Sequence, residues 1–279
     1  MRVEGPEWWK DIIHDNRKEV LHMPELSRRV QTFTDSVIRR MTRINNMTPG
    51  SINLSQGFPD FDPPKEILEA LKAAAEHGPH QYSITFGAKN FRDALADMYT
   101  KKWNRPIDPD KEIVVTCGGT EAMMAAMMTV CNPGDKVAVF SPFYENYGAD
   151  AILSGADPIY IPLVPPDFYY DRAVLEQAFR DGAKALILCN PSNPCGKVFT
   201  MGEMEEIAEL AKRYDAFVIT DEVYEYIIYD GNRHISMAAL PGMYERTITC
   251  SSLSKTYSMT GWRLGYLIGP ERVIEAAKK

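Results

Sequence analysis

Lys255 is the residue with the clearest potential for covalent chemistry. It lies among hydroxyl-bearing side chains in the segment SSLSKTYSMTGWRLGY, residues 251–266, and Arg263 follows eight positions later. A lysine in such a setting is either a surface charge or an amine that takes part in a reaction. Partial burial favours the neutral, nucleophilic form of a lysine amine. A reactive amine would need further groups to bind and activate its substrate, and these have to come from elsewhere in the chain.

Other reactive-site patterns find little support in the sequence. Ser252 and Lys255 fit the S-x-x-K pattern of serine–lysine hydrolases, but the companion S-D-N and K-T-G motifs do not occur. The segment HGPH, residues 77–80, has H-x-x-H spacing but lies in a Gly-Pro turn with no third ligand nearby, so we expect no metal site. GGTE, residues 118–121, matches neither the P-loop nor the dinucleotide-binding fingerprint.

Candidate binding residues follow directly after short apolar runs. GGTE follows VVTC, and its glycines could bring backbone N–H groups close to an anion at a helix N-terminus. Asn193 lies between two Asn-Pro steps in NPSNPCG, which favour an extended, rigid turn. Asp221 follows AFVIT, and a carboxylate at the end of a buried strand requires a partner. Tyr144 belongs to an aromatic cluster that follows VAVF and could stack on a planar ligand.

The elements that carry these residues alternate between strand and helix. Helical periodicity separates the apolar runs, and a further amphipathic helix is predicted in LSRRVQTFTDSVIRRMTRI, where Val30, Phe33, Val37 and Met41 recur at helical spacing. This alternation predicts an α/β fold with a mostly parallel sheet, whose ligands bind beyond the carboxyl ends of the strands. The predicted strands are EIVVTC, KVAVF, PIYIPL, KALILC, AFVIT, RTITC and LGYLI.

Composition favours a globular enzyme that acts on small molecules. The chain has 279 residues, 25% of them charged, and a net charge of −7, which argues against nucleic acid as a partner. The N-terminus has no apolar signal region, and the longest apolar stretch, AMMAAMMTVC, is too short to span a membrane. The five cysteines form no C-x-x-C pair. Reduced, buried thiols in a cytoplasmic protein are therefore expected, with neither secretion nor membrane insertion.

Six motifs in one order carry a resemblance to a known family. From about residue 51 to residue 270 the chain resembles the class I/II aminotransferases of the aspartate, aromatic and alanine type, which are fold-type I pyridoxal 5′-phosphate (PLP) enzymes. The resemblance implies a three-layer α/β/α large domain with a mostly parallel central sheet. The motifs are NLSQGFPDF, QYSITFG, GGTEA, NPSNPCG, TDEVY and SLSKTYSMTGWRLGY.

The resemblance assigns the residues around the cofactor ring. Lys255 matches the lysine that forms a Schiff base with PLP and then carries a proton at the substrate α-carbon. Asp221 matches the carboxylate that pairs with the pyridinium nitrogen, and Asn193 and Tyr224 match the pair that binds the phenolic oxygen. Tyr144 aligns with the aromatic residue that stacks on the ring. Lys255, Asp221 and Tyr224 are thus the expected catalytic residues.

The resemblance also assigns the phosphate and substrate contacts. Gly119, Thr120, Ser252 and Arg263 match the phosphate-binding residues, which donate through backbone N–H groups, hydroxyls and a guanidinium. Two further matches lie in the N-terminal third of the chain. Tyr82 aligns with a tyrosine that reaches the phosphate of a neighbouring subunit, which implies a homodimer, and Gly57 matches a glycine whose backbone approaches the substrate near its carboxylate.

The resemblance implies three segments and leaves part of the substrate site unassigned. We expect residues 1–55 to form an N-terminal arm and part of a small domain, 56–270 the large PLP-binding domain, and 271–279 the start of an interdomain helix. The family usually continues for about a hundred residues more, through the small domain and the arginine that binds the substrate α-carboxylate. No residue here can be assigned to that arginine, and the chain is expected to be a fragment of a longer enzyme.

The expected activity is amino-group transfer from an L-amino acid to a 2-oxo acid by a ping-pong mechanism. Other PLP reactions use the same ring-binding residues, so β-elimination by a C–S lyase, decarboxylation and oxidation remain alternatives. A non-catalytic PLP-binding protein is a further alternative, because the residue that clamps the substrate is not identified. The sequence does not specify which amino acid or 2-oxo acid is used.

Overall fold

The computed structural model describes residues 24–32 and 35–279. The chain divides at Thr32 into two units. In the first unit, Arg28–Gln31 forms one turn of 3-10 helix, and the Ser27 hydroxyl accepts a hydrogen bond from the Arg29 N–H at 3.4 Å. The second unit contains the sheet and every α-helix described below.

The second unit is built on one seven-stranded sheet with the order β1-β7-β6-β5-β4-β2-β3. Strands β2 to β6 pair in parallel, whereas β7 is antiparallel to both of its neighbours. All seven predicted strands form, which confirms the mostly parallel α/β fold. The strands are β1 (Ile113–Cys117), β2 (Lys136–Ser141), β3 (Asp157–Pro162), β4 (Ala183–Cys189), β5 (Phe217–Asp221), β6 (Thr247–Ser252) and β7 (Leu264–Ile268).

Helices cover both faces of this sheet, because the strands are apolar on both sides. The helices are α1 (Val37–Asn46), α2 (Lys65–His77), α3 (Lys89–Trp103), α4 (Gly119–Val130), α5 (Asn146–Ser154), α6 (Arg172–Arg180), α7 (Met201–Arg213), α8 (Leu253–Thr256) and α9 (Glu271–Ala277). In β4, Ala185 and Ile187 pack with α4, α5 and α9, whereas Leu186 and Leu188 pack on the opposite face with α6 and α7.

The amphipathic helix expected near the N-terminus is not continuous. Helix α1 begins at Val37 because Ser36 has non-helical dihedral angles and its hydroxyl accepts the Arg39 N–H at 3.1 Å, which caps the helix. Of the residues in the predicted apolar face, Val37 and Met41 are exposed, and Phe33 lies outside the described residues. The helical spacing of apolar residues thus begins before Ser36, but the capping of the helix by Ser36 makes α1 start only at Val37.

The topology brings the ends of the central strands together. Cys189 of β4, Asp221 of β5 and Cys250 of β6 lie side by side in the sheet register. Residues that follow these strands therefore meet at one edge, where α/β sheets bind ligands. No helix in residues 24–32 or 35–279 has the length and apolar character needed to cross a bilayer.

Candidate active site

A cavity of about 630 Å³ lies at the carboxyl ends of β4, β5 and β6. Of the predicted site residues only Tyr82 lies outside it; Tyr82 is fully exposed elsewhere on the surface. The fold thus brings together groups that are up to about two hundred positions apart in sequence. The predicted residues that line the cavity are Gly57, Gly119, Thr120, Tyr144, Asn193, Asp221, Tyr224, Ser252, Lys255 and Arg263.

Lys255 projects into this cavity from the short helix α8, directly after β6. The helix begins where the Ser252 hydroxyl accepts the Ser254 N–H at 3.4 Å. The Lys255 Nζ donates a hydrogen bond of 2.7 Å to the carbonyl oxygen of Gly57 and lies 5.7 Å from the centre of the Tyr224 ring. Burial lowers the pKa of Lys255, which is the direction that a nucleophilic amine requires.

Asp221 ends β5 with its carboxyl at the base of the cavity. The Tyr147 hydroxyl donates to Oδ2 at 2.7 Å, and the Val223 N–H donates to Oδ1 at 3.2 Å. Burial raises the pKa of Asp221, while these two hydrogen bonds favour the charged form. The described residues place no lysine or arginine in an ion pair with this carboxyl, so it can accept a cationic ligand group.

Tyr147 is a site residue whose role the sequence did not reveal. It belongs to the predicted aromatic cluster, but only the packing of α5 on the sheet shows that its hydroxyl points at Asp221. Its ring also meets the Tyr144 ring edge-on, with centroids 5.7 Å apart, which helps to hold Tyr144 in place. Burial raises the pKa of Tyr147 well above its usual range, so the hydroxyl remains a hydrogen-bond donor.

Groups with the chemistry to bind an anion meet where β1, α4 and β7 join, and we call this place the anion-binding corner. Gly118 has φ +80°, and a Cβ at this position would overlap the guanidinium of Arg263. A Cβ on Gly265 would overlap the backbone of Gly118, so both glycines are required for this close approach. Arg263 is also fixed by donating to the carbonyl of Thr260 at 3.0 Å. The corner joins a guanidinium to the N-terminus of α4, which begins at Gly119.

The other side of the cavity is formed by the loop after β4 and the segment after β5. The Asn190 side chain accepts the Phe199 N–H at 3.1 Å and donates to the Ile235 carbonyl at 3.2 Å, which pins the loop that presents Asn193. Burial raises the pKa of Tyr224, so its phenol keeps its proton and can donate a hydrogen bond. These two polar groups face the cavity from neighbouring strand ends.

A buried network of charged side chains lies on the side of the segment after β5 that faces away from the cavity. Glu222, Glu225 and His234 place three potential metal-ligand atoms within 4.8 Å of one another. The Lys102 ammonium pairs with Glu225 and lies 3.7 Å from Glu222, so one lysine already offsets part of the charge of the two carboxyls. Burial lowers the pKa of His234 to about 4. The network thus fits a structural role beside Asp221 better than a metal site.

The N-terminal end of α1 forms one wall of the cavity, a contact that no local sequence pattern indicates. The Glu145 carboxylate accepts hydrogen bonds from the Ser36 hydroxyl and, at 3.0 Å, from the Val37 N–H. Ile38 and Arg39 line the cavity beside them. Ser36 is recognisable as a helix cap, but its partner lies 109 positions away.

Comparison with known proteins shows the family. The family described as "Aminotransferase class I and II" matches residues 49–279, and the chain belongs to it. Kynurenine–oxoglutarate transaminase 3 of Mus musculus is 39% identical over 260 residues, covering 89% of this chain and 57% of that protein. Aromatic-amino-acid aminotransferase 2 of Thermococcus litoralis is 38% identical over 251 residues, covering 90% of this chain and 64% of that protein.

The fold is shared with solved structures of aminotransferases. The structure of N-succinyldiaminopimelate aminotransferase from Mycobacterium tuberculosis superimposes with a TM-score of 0.86 at 36% identity, covering 91% of this chain and 66% of that chain. The sequence therefore spans little more than half of the mouse relative and about two thirds of the bacterial structure.

The anion-binding corner can be tested through Gly118. In Gly118→Ala the new Cβ displaces the Arg263 guanidinium, so the affinity for inorganic phosphate should fall about tenfold, the loss of one charge-assisted hydrogen bond. Gly134→Ala is the matched control, because Gly134 has a similar φ of +86° but nothing within 4 Å of the added Cβ. Each variant should lose about 1 kcal/mol of unfolding free energy from its backbone conformation. Equal phosphate affinity in the two variants would contradict this anion site.

Proposed function

We propose that this chain carries the cofactor site of a PLP-dependent aminotransferase that moves an amino group from an L-amino acid to a 2-oxo acid. The observation that supports this most strongly is the presence of Lys255 and Asp221 in one cavity with an anion-binding corner. The amine can react with the aldehyde of PLP, the carboxylate can pair with its ring nitrogen, and the anion-binding corner can hold its phosphate. The named relatives are aminotransferases, which also supports the proposal.

The residues fit the proposed cofactor group by group. The Gly119 N–H, the hydroxyls of Thr120 and Ser252, and the Arg263 guanidinium would hold the phosphate. The chemistry of Asp221 also fits, since its partly buried carboxyl receives hydrogen bonds but has no cationic partner among the described side chains. A protonated ring nitrogen would supply that charge.

Asn193, Tyr224 and Tyr144 would complete the ring site. Asn193 and Tyr224 would donate to the phenolic oxygen, and Tyr144 would cover one face of the ring. When bound, PLP supplies an electron sink for the bond that breaks at the substrate α-carbon.

The transfer of the proton at the substrate α-carbon would then depend on the protein's own side chains. The Lys255 amine, made less basic by burial, would take the proton from the substrate α-carbon and hold it until its return. Asp221 would keep the ring nitrogen protonated throughout. The Gly57 carbonyl, which accepts a hydrogen bond from the Lys255 amine at 2.7 Å, would help to position that amine.

We further propose the domain division expected from the resemblance. Residues 1–55 would belong to the N-terminal arm and small domain, 56–270 to the large domain, and 271–279 to the start of an interdomain helix. The start of α9 at Glu271 supports the boundary after residue 270. Limited proteolysis that cuts preferentially within 56–270, rather than near its ends, would contradict it.

The substrates and compartment are also proposals. The named relatives act on kynurenine, aromatic amino acids and N-succinyldiaminopimelate, so these are the first amino donors to assay. All five cysteines are unpaired, which fits the reducing cytoplasm. Cell fractionation that places the protein outside the cytoplasm would contradict that assignment.

The covalent role of Lys255 has a direct test. Incubation with PLP followed by borohydride reduction should leave a stable adduct on the peptide that contains Lys255, detected by mass spectrometry. Lys255→Ala and Lys255→Arg should both lose it, because neither side chain retains the amine, whereas Lys89→Ala should keep it. Lys89 pairs with Asp93 on the exposed side of α3 and lies outside the cavity. A comparable adduct yield in Lys255→Ala would remove the basis of the proposal.

Tyr82 provides the test of a homodimer. It is fully exposed and outside its own cavity, so it can serve a phosphate only in a second copy of the chain. Tyr82→Phe should weaken PLP binding about tenfold by removing one hydrogen bond to a charged group. Tyr229→Phe, at a residue 73% exposed, should have no effect. A monomer by light scattering, or equal PLP affinity in the two variants, would contradict the shared site.

A further inference from the structure

Asp150 is a buried acid in the cavity for which no role has been assigned. It lies on α5 with 5% of its surface exposed, and it lines the cavity. Its Oδ2 has no hydrogen-bond partner, and the described residues offer its carboxyl no ion pair. An unpartnered buried carboxyl is costly, and it usually indicates a ligand group or a functional role.

The packing of α5 places Asp150 close to Asp221. Tyr147 lies one helical turn before Asp150 and donates its hydroxyl to Asp221 at 2.7 Å, so the same face of α5 looks toward the end of β5. Burial, together with the nearby Asp221 charge, raises the pKa of Asp150 to about 7. Two carboxyls so placed in a protein interior resist ionising together unless a cation lies beside them.

The other titratable groups around Asp150 do not supply that cation. From the strands, Asp221 and Cys250 face it, and both interact with it electrostatically. Tyr144 and Tyr147 lie beside it, with Arg263 and Lys255 elsewhere on the cavity wall. The remaining ionisable groups on the neighbouring segment and on α4, β2 and β3 are Glu145, Glu121, Lys136, Asp157 and Tyr160.

The charged groups among these five already have other partners or lie far from Asp150. Glu145 binds α1, Glu121 accepts the Cys117 N–H, and Lys136 donates to the Asp181 carbonyl at 2.9 Å. Asp157 begins β3, at the opposite end of the strand from the cavity. The cation that would balance Asp150 therefore has to come from a ligand.

We propose that Asp150 is a second acidic positioning residue for the cofactor ring, which acts through Asp221 to favour a protonated ring nitrogen. This inference rests on the PLP site proposed above. Before binding, the raised pKa leaves Asp150 protonated in part of the molecules near neutral pH. A protonated ring nitrogen beside Asp221 adds a positive charge that lowers the pKa of Asp150, so Asp150 ionises and releases its proton to solvent as the ligand binds.

The sign of the pH dependence follows from this coupling. Because the bound cation lowers the pKa of Asp150, the affinity for a protonated ring rises with pH until Asp150 is ionised in the free protein as well. Asparagine has the same shape but stays neutral, so it mimics the protonated form at every pH. The two proteins should therefore bind equally in acid and differ above about pH 7.

The experiment compares the wild-type chain with Asp150→Asn, using pyridoxamine 5′-phosphate as the probe because it forms no bond with Lys255. The ratio of dissociation constants, variant over wild type, should be near one at about pH 5.5 and rise to about tenfold at about pH 8. At about pH 7, calorimetry in two buffers should show less proton release on binding by the variant. Asp157→Asn makes the same charge change at an exposed site and should match the wild type.

Inorganic phosphate separates an effect on the ring from a structural effect. It can occupy the anion-binding corner but has no ring nitrogen, so Asp150→Asn should not weaken its binding. Asp150→Ser, smaller and also neutral, should reproduce the pH-dependent ratio and replaces Asp150→Asn if that variant does not fold. A ratio that stays constant with pH, or an equal loss of phosphate affinity, would overturn the role of Asp150 while leaving the PLP site intact. Failure of every protein to bind pyridoxamine 5′-phosphate would overturn both proposals.

Discussion

The arrangement of the cavity depends on one carboxyl, that of Asp221, which lies at the end of a buried strand. Asp221 ends β5, with β4 and β6 on either side and helices on both faces of the sheet. Burial disfavours its charge, and the Tyr147 hydroxyl together with the Val223 N–H offsets part of that cost. A cation in the cavity would offset the rest of that cost, and a pyridinium ring would provide one.

The surrounding elements limit where such a ligand can lie. The corner formed by Gly118, Gly265 and Arg263 would hold an anion at one end, while Lys255 approaches from the short helix after β6. These groups come from different strand ends, so their spacing depends on the sheet. Behind them, the ion network of Lys102 with Glu222 and Glu225 anchors the segment that follows Asp221. A rigid frame of this kind holds reacting groups in place before the ligand binds.

Much of this arrangement was predictable because strands and their first following residues are local features. Seven apolar runs predicted the seven strands, and the residues that follow these runs include several that line the cavity. Contacts that depend on how helices pack were not predictable. The approach of Asp150 to Asp221 and the contact of Glu145 with Ser36 join positions that share no local pattern. The start of α1 was missed because helical spacing continues past its capping serine.

We propose that one ligand binds the Lys255 amine, the Asp221 carboxyl and the anion-binding corner together. A crystal structure of the chain grown with PLP would show whether it does. We expect electron density continuous with the Lys255 Nζ, a phosphate at the Gly119 N–H and Arg263, and a ring nitrogen within hydrogen-bonding distance of Asp221. Ligand density outside this cavity, or a ring nitrogen directed away from Asp221 while Lys255 stays unmodified, would contradict it.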